Sequence, residues 1–417
     1  MLLLKNVYFE GKTQDILIEN NIFKKIAPEI TEKHADVLDC TGKAILPSFC
    51  NMHTHAAMMF LRGIGEDLEL FDWLNNKIWP LEKRLTDEAV YHFSKFACLE
   101  MIKTGTTAFL DMYFRTEETV KAVDEMGMRA YLTETCMDMF DENKTKECIR
   151  FSEEFLNKPC PNSRICKTLS PHAIYTASKD LIQAVRKMVD AHGMFLNMHV
   201  SETKNEVEEC LKKYGKTPLA LLDSWGVLDK KTVIAHAVHL TDDEIRIAKE
   251  KGVIIVHNPV SNLKLNSGQM PLDRYLKEGL KVTLGTDSVS SNNSLSMIDE
   301  MKIAALSGKN EADSPVAACV DDIFNMATVN GFEALGIKAG KIKEGYLADF
   351  MLVNMNHHAL LPNVNLISNM IYSADSSCIT DVFCDGKCLM NNGKVKQEEE
   401  IIYNFKQACQ KLLYDQF

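Results

Sequence analysis

The sequence predicts an α/β chain: a (β/α)₈ TIM barrel with a small composite β-sandwich domain built from both termini. Two patterns carry that expectation. Between residues 44 and 286, eight short apolar runs recur, most of them separated by stretches with amphipathic helical spacing. That alternation is how a parallel barrel is written. Both ends of the chain are instead series of short strand-like runs divided by turn residues.

At the N-terminus the strand-like runs are Leu2–Phe9, Asp15–Glu19, Ile22–Ile26 and Val37–Asp39. The same style returns in Asp349–Val353 and Asp381–Cys384, with a turn at Asn391-Asn392-Gly393. The expected division is therefore 1–46 plus 346–395 as a composite β domain and 47–345 as the barrel, with 396–417 as a C-terminal helix. The barrel strands are expected at Ala44–Met52, Thr106–Met112, Arg129–Thr135, Ile165–Ser170, Phe195–Val200, Thr232–Ala237, Val253–His257 and Lys281–Thr286. The clearest helix starts at Thr86, an N-cap followed by Asp87 and Glu88, and stops near Gly105. Residues 56–85 form a connection well beyond ordinary βα length and should cover the barrel mouth.

Composition narrows the function. Hydrophobic residues make up 46% and charged residues 25% of the 417, as in a soluble globular protein. Lys and Arg total 47 against 58 Asp and Glu, a net charge of −11. Nucleic acid and anionic membranes are poor partners for such a surface, and a small molecule in a local pocket is the expected one. No apolar run has membrane-spanning length, and Lys5 interrupts the first run too early for a secretory leader. The 13 Cys include no C-x-x-C pair, so free thiols in a reducing cytoplasm are expected. The oligomeric state is left open, a homo-oligomer included.

The chemistry lies where the apolar runs end. His53 and His55 form His-Thr-His at the end of the first barrel strand, where residues i and i+2 face the same side. His199 ends the fifth strand, His236 the sixth and Asp287 the eighth. In a barrel those ends meet at one face. His53, His55, His199 and Asp287 are the expected ligands of one divalent ion, zinc first and Fe²⁺ as the alternative. Such an ion lowers the pKa of water from about 15.7 to about 7, which suits hydrolytic attack on an unreactive ring carbon. Glu202, three residues after His199, can stand beside the ion without binding it and protonate a ring nitrogen.

The segments PSFCNMHTHAAMMFLRG, WPLE, SPHAIYT, HVSET, AHAVHL, HNPVSNLKL and LGTDSVSSNNSL follow one another from residue 47 to about residue 300. In this set the chain resembles the amidohydrolase superfamily, and within it the 5′-methylthioadenosine/S-adenosylhomocysteine deaminases and related chlorohydrolases. The resemblance implies metal-dependent deamination of a 6-aminopurine nucleoside. It implies that Glu202 protonates the purine N1 and that His236 orients the attacking water. Asp287 would pass the water's proton toward leaving ammonia, Glu82 would hold ribose hydroxyls, and His172 would contact the sugar. Lys167 lies within the fourth strand, so a carboxylated lysine bridging two metals is not expected.

There is one departure. Such deaminases carry an arginine after the third strand, suited to a substrate carboxylate; here Glu134 stands near that place, with Arg150 and Lys146 as conceivable substitutes. The expected substrates are therefore adenosine, 5′-deoxyadenosine or 5′-methylthioadenosine ahead of S-adenosylhomocysteine. Met58, Met59, Phe60 and Phe71 are expected to pack around a methylthio group. Guanine or pterin deamination and triazine hydrolysis remain the rivals within the family, and a catalytically dead scaffold the rival outside catalysis.

Overall fold

A computed structural model describes residues 1–68 and 70–414. Eight parallel strands follow one another around a barrel: β1 Phe49–Thr54, β2 Thr106–Tyr113, β3 Arg129–Cys136, β4 Ile165–Pro171, β5 Leu196–Val200, β6 Thr232–His236, β7 Ile254–His257 and β8 Lys281–Leu284. Their near-continuous burial reflects a sheet with its own interior on one face and helices on the other. The ring closes between β8 and β1, where the Asp287 amide donates to the His53 carbonyl at 2.9 Å and Thr54 bridges Asp287. Gly285 permits this: a Cβ there would lie 2.6 Å from the His53 nitrogen. The closure thus brings the first and last metal-competent strand ends together.

The termini build a nine-stranded, mainly antiparallel sheet in one hydrogen-bonded network. Strands Leu2–Phe9, Lys12–Glu19, Ile22–Ala27, Asp36–Asp39 and Lys43–Pro47 join Phe350–Asn354, Ile379–Cys384, Lys387–Asn391 and Lys394–Val395. The run Ala44–Met52, read as one strand, is two. Lys43–Pro47 pairs with Phe350–Asn354 in the terminal sheet, while Phe49 onward enters the barrel. Pro47 has no N–H to continue a ladder, and the chain changes sheet at Ser48. Both pieces are apolar because each packs into a core, so hydrophobicity alone cannot divide them. Buried Arg129, at the start of β3, fastens the two units by pairing with Asp349 (2.6 Å) and Asp385.

The C-terminal helix Glu398–Cys409 packs on helix Asp87–Lys103, stacking Phe405 on Phe96 with ring centroids 4.0 Å apart. Thr86 caps that helix as expected, accepting the Ala89 N–H. The connection after β1 is largely helical and lies over the mouth, with Trp73, Leu74, Ile78, Trp79 and Glu82 lining the pocket beneath. Among the described residues no helix is long and apolar enough to cross a membrane. The cysteines are free thiols.

Candidate active site

Three of the functional strand ends turn sharply. Ser201 (φ 54°), His236 (φ 74°) and Asp287 (φ 60°) all adopt left-handed backbone. Non-glycine residues there cost of order 1–3 kcal/mol each and persist where the surroundings impose them. The turns aim His236 and Asp287 inward over the end of the barrel, toward the histidines of β1 and β5.

The expected ligands converge. His53 stacks edge-on at 4.9 Å from both His55 and His199, measured between ring centroids. Asp287 Oδ1 lies 3.0 Å from His55 Nε2 and 3.4 Å from His53 Nε2. The possible donor atoms of His53, His199, His236 and Asp287 all lie mutually within 4.8 Å. His236 thus stands beside the expected ligands, and His55 meets the group at Asp287.

The donor set fits a divalent cation. His55 Nδ1 faces the Met112 carbonyl at 2.5 Å, and His199 Nδ1 faces the His172 carbonyl at 3.0 Å. Carbonyl oxygens only accept, so each Nδ1 carries the proton and each neutral ring leaves Nε2 as the donor atom. This is the outer support expected of metal-binding histidines. Neither nitrogen of fully buried His53 has a hydrogen-bond partner among the described residues, an arrangement that a ligand bond resolves. Burial pushes His53 down to about 4 and His199 well below the usual histidine range, so both rings are neutral at pH 7. Burial opposes charge on Asp287, yet His53 and His55 hold it well below the usual carboxylate range. For His55, burial is outweighed by Asp287 and the pKa rises; a cation bound between them would displace that proton.

Residues not anticipated from sequence complete the shell. Asp287 Oδ2 accepts from Ser261 Oγ at 2.6 Å and Ser291 Oγ at 2.9 Å, leaving Oδ1 to the histidines. Asn262 Oδ1 lies 2.8 Å from His236 Nδ1. Ser261 and Asn262 belong to HNPVSNLKL and Ser291 to LGTDSVSSNNSL, so the segments were noticed but their contacts were not legible. His239 lies in the turn after β6, its Nε2 2.7 Å from the Ser267 carbonyl. Ser267 in turn donates to Glu202 Oε1 at 3.1 Å. Glu202 Oε2 is 3.8 Å from His236 Nε2. Burial raises the Glu202 carboxyl, favouring the protonated form that a general acid needs.

One pocket joins these groups to the expected substrate contacts. His55, Glu82, His172, His199, Glu202, His236 and Asp287 all line it, and it holds about 690 Å³ of empty space counting its mouth. Glu82 Oε1 accepts from the Tyr113 hydroxyl at 2.7 Å. His172 Nδ1 lies 2.9 Å from Thr176 Oγ1, and burial lowers its pKa to about 3. Lys167 points elsewhere, pairing with Glu117 at 2.7 Å, and does not reach the cluster.

Two expectations about the outer pocket change. Met58 lines it, but Met59 and Phe60 are buried in the core, with Phe60 stacked on Phe93. The Phe71 side chain lies outside the described residues. Glu134 does not face the substrate pocket; it accepts the Thr116 N–H at 3.1 Å and lines a neighbouring cavity. The expected repulsion of a substrate carboxylate by Glu134 therefore fails. Arg150 is spent on Glu154 one helical turn away. The recess continuous with the pocket past Trp79, Glu82, Phe114 and Met137 is lined instead by Lys83, Arg115 and Lys144.

A family model described as the amidohydrolase family matches residues 44–389. The chain belongs to the amidohydrolase family. It is 42% identical to a 5′-deoxyadenosine deaminase of Methanocaldococcus jannaschii, over 99% of this chain and 100% of that protein. It is 46% identical to a 5-methylthioadenosine/S-adenosylhomocysteine deaminase of Thermococcus sibiricus, over 90% and 89% of the two chains. Among solved structures, a zinc-bound adenosine deaminase from Xanthomonas campestris superposes with a TM-score of 0.90 at 28% identity, covering 99% of this chain and 98% of the other. Atrazine chlorohydrolase from Arthrobacter aurescens superposes at 0.89 with 20% identity, covering 98% and 100%, a likeness of fold alone.

Proposed function

We propose that the chain hydrolyses the 6-amino group of a purine nucleoside, giving the inosine-type product and ammonia. The observation that carries this reading is one pocket in which a carboxyl held toward its protonated form, Glu202, stands beside a histidine–aspartate metal cluster. Relatives named 5′-deoxyadenosine deaminase and 5-methylthioadenosine/S-adenosylhomocysteine deaminase, matched over 99% and 90% of this chain, support it. We assign the metal as zinc, held by His53, His55, His199 and Asp287, with Fe²⁺ as the alternative that the same donor types admit. When bound, the metal ionises water at neutral pH.

The chain's own groups then act in sequence. Glu202 donates its proton to the purine N1, making the adjacent C6 electrophilic. His236, fixed by Asn262, orients the attacking water through Nε2. The Asp287 carboxylate takes one water proton and delivers it to the departing amino group; as the C6 hydroxyl becomes a carbonyl its proton restores Glu202, so that water and aminopurine become oxopurine and ammonia. Glu82 receives the ribose hydroxyls by charge-assisted hydrogen bonds, and His172 contacts the sugar.

Tyr113 orients Glu82 in this reading. Hydrogen bonds to charged groups contribute about 1.5–3 kcal/mol, of which part would reach the substrate. Tyr113→Phe should therefore raise KM for nucleosides about 5–10-fold with kcat nearly unchanged. Steady-state kinetics on 5′-deoxyadenosine would show it, and an unchanged KM would remove Tyr113 from ribose recognition.

The 5′ group is read from the outer recess. Met58, Met137 and Trp79 offer thioether and aromatic surface to a small neutral substituent. Lys83 and Lys144 have no ion-pair partner among the described residues, so a carboxylate-bearing tail also finds cations there. The test is kcat/KM for adenosine, 5′-deoxyadenosine, 5′-methylthioadenosine and S-adenosylhomocysteine, with guanine and a chlorotriazine as counter-substrates. Nucleosides should be turned over and the counter-substrates refused; preference for a free base or triazine would overturn the reading. Exposed charge pairs contribute about 0–1 kcal/mol, so reversing one charge by Lys144→Glu should cost S-adenosylhomocysteine roughly 5–10-fold. 5′-Deoxyadenosine should stay within about twofold.

A further inference from the structure

Glu206 is a buried carboxyl outside the substrate pocket and outside the metal cluster. It sits in the first turn of the helix Lys204–Tyr214, whose cap Thr203 accepts the Glu206 N–H at 3.1 Å. Its side chain folds back on the turn that precedes the helix. Oε1 accepts the main-chain N–H of Ser201 at 3.0 Å, and Oε2 accepts that of Glu202 at 2.8 Å. On the other side of the same turn, the Ser201 carbonyl accepts the N–H groups of Val238 and His239 at 3.0 and 3.1 Å. The left-handed turn between His199 and Glu202 is thus held from both sides, by Glu206 and by the loop after His236.

An acidic residue in a first helical turn commonly serves the helix dipole, a contribution of about 0.3–1 kcal/mol at exposed positions. That role does not require burial, which for a carboxylate is costly unless its oxygens are satisfied. Here both oxygens are given to consecutive amides, one belonging to the residue whose side chain enters the pocket. We infer that Glu206 is a positioning residue: by clamping the amides of Ser201 and Glu202 it fixes where the Glu202 carboxyl meets the substrate. This rests on the deaminase reading for what Glu202 does there.

The clamp needs two acceptor oxygens, and a protonated carboxyl offers only one good one. Burial pushes Glu206 up to about 7 although both amides pull it down. The ionisable groups that act on or are acted on by it are Glu202, His236, Tyr175 and Cys210. Protonation as pH falls through about 7 therefore loosens the turn, and kcat declines on that side.

The experiment is Glu206→Gln in the full-length, metal-loaded enzyme, with amide hydrogen exchange, metal content, melting temperature and kcat as a function of pH. A misplacement of about 1 Å at a catalytic group can cost about 10²-fold in rate. The expected result is kcat reduced about 10²-fold, KM within about threefold, metal retained, faster exchange at the Ser201 and Glu202 amides, and loss of the decline centred near pH 7. Turnover within threefold of the parent with the parent's pH profile, or unchanged exchange at the two amides, would overturn the proposal. So would a loss of kcat matched by loss of metal, since that marks a general structural role. If the glutamine variant does not fold, Glu206→Asp takes its place: one methylene shorter, it should raise exchange at the same amides and lower kcat, and parental values of both would overturn the proposal. Amide exchange needs no substrate, so absence of deaminase turnover in the parent would count against the functional reading and leave the clamp decided on its own.

Discussion

Glu202→Gln should keep its metal and lose about 10²–10⁴ of its turnover, the usual worth of a positioned general acid. The glutamine is nearly isosteric, can still accept from Ser267 Oγ, and leaves the backbone clamp to Glu206 intact. The histidine–aspartate cluster loses no donor atom. What disappears, in the proposed mechanism, is the proton that Glu202 transfers to the purine N1. Because the loss is confined to the step in which the ring accepts that proton, kcat and kcat/KM should fall together while KM changes little. Metal analysis of the variant alongside single-turnover kinetics gives the result directly. Near-parental turnover in the metal-replete variant would assign ring protonation to another group.

The barrel was legible because its strands are short apolar runs that stop at polar residues, and His53, His199, His236 and Asp287 are those stops. Periodicity failed where two adjacent apolar strands serve different sheets, at Lys43–Pro47 and Phe49–Thr54. Glu134 shows how narrow the margin is along a strand. Thr135, one position on, lines the substrate pocket, while Glu134 turns to the Thr116 amide, because neighbouring residues in a strand face opposite sides. A shift of one residue exchanged a carboxylate facing the substrate for one facing a helix start. The supporting contacts were not legible for a different reason. Ser261 and Ser291 meet at Asp287 only because the segments after β7 and β8 fold over the same strand end. Nothing in the spacing of serines along the chain states that meeting. Tyr113 likewise reaches Glu82 from the end of β2, across the mouth of the barrel.

His199→Ala should abolish both metal binding and activity. In the proposed ligand set its Nε2 is the donor from β5, oriented by the bond from Nδ1 to the His172 carbonyl. Losing only an outer partner of a metal-binding histidine typically costs about 10–100-fold in metal affinity, so losing the imidazole itself should cost more. The void would also leave Asp287 with His53, His55 and His236 around it and no fourth wall to close the group. Purified without chelator, the parent should carry close to one divalent ion per chain and the variant almost none. Chelation of the parent should reproduce the variant's inactivity, and zinc should restore the parent alone. Melting temperature separates this from unfolding: the metal-free parent and the variant should melt alike, both below the loaded parent, because an ion that binds only the folded chain stabilises it by mass action. A variant that bound zinc as tightly as the parent would remove His199 from the ligand set and leave His53, His55 and Asp287 as its remaining members.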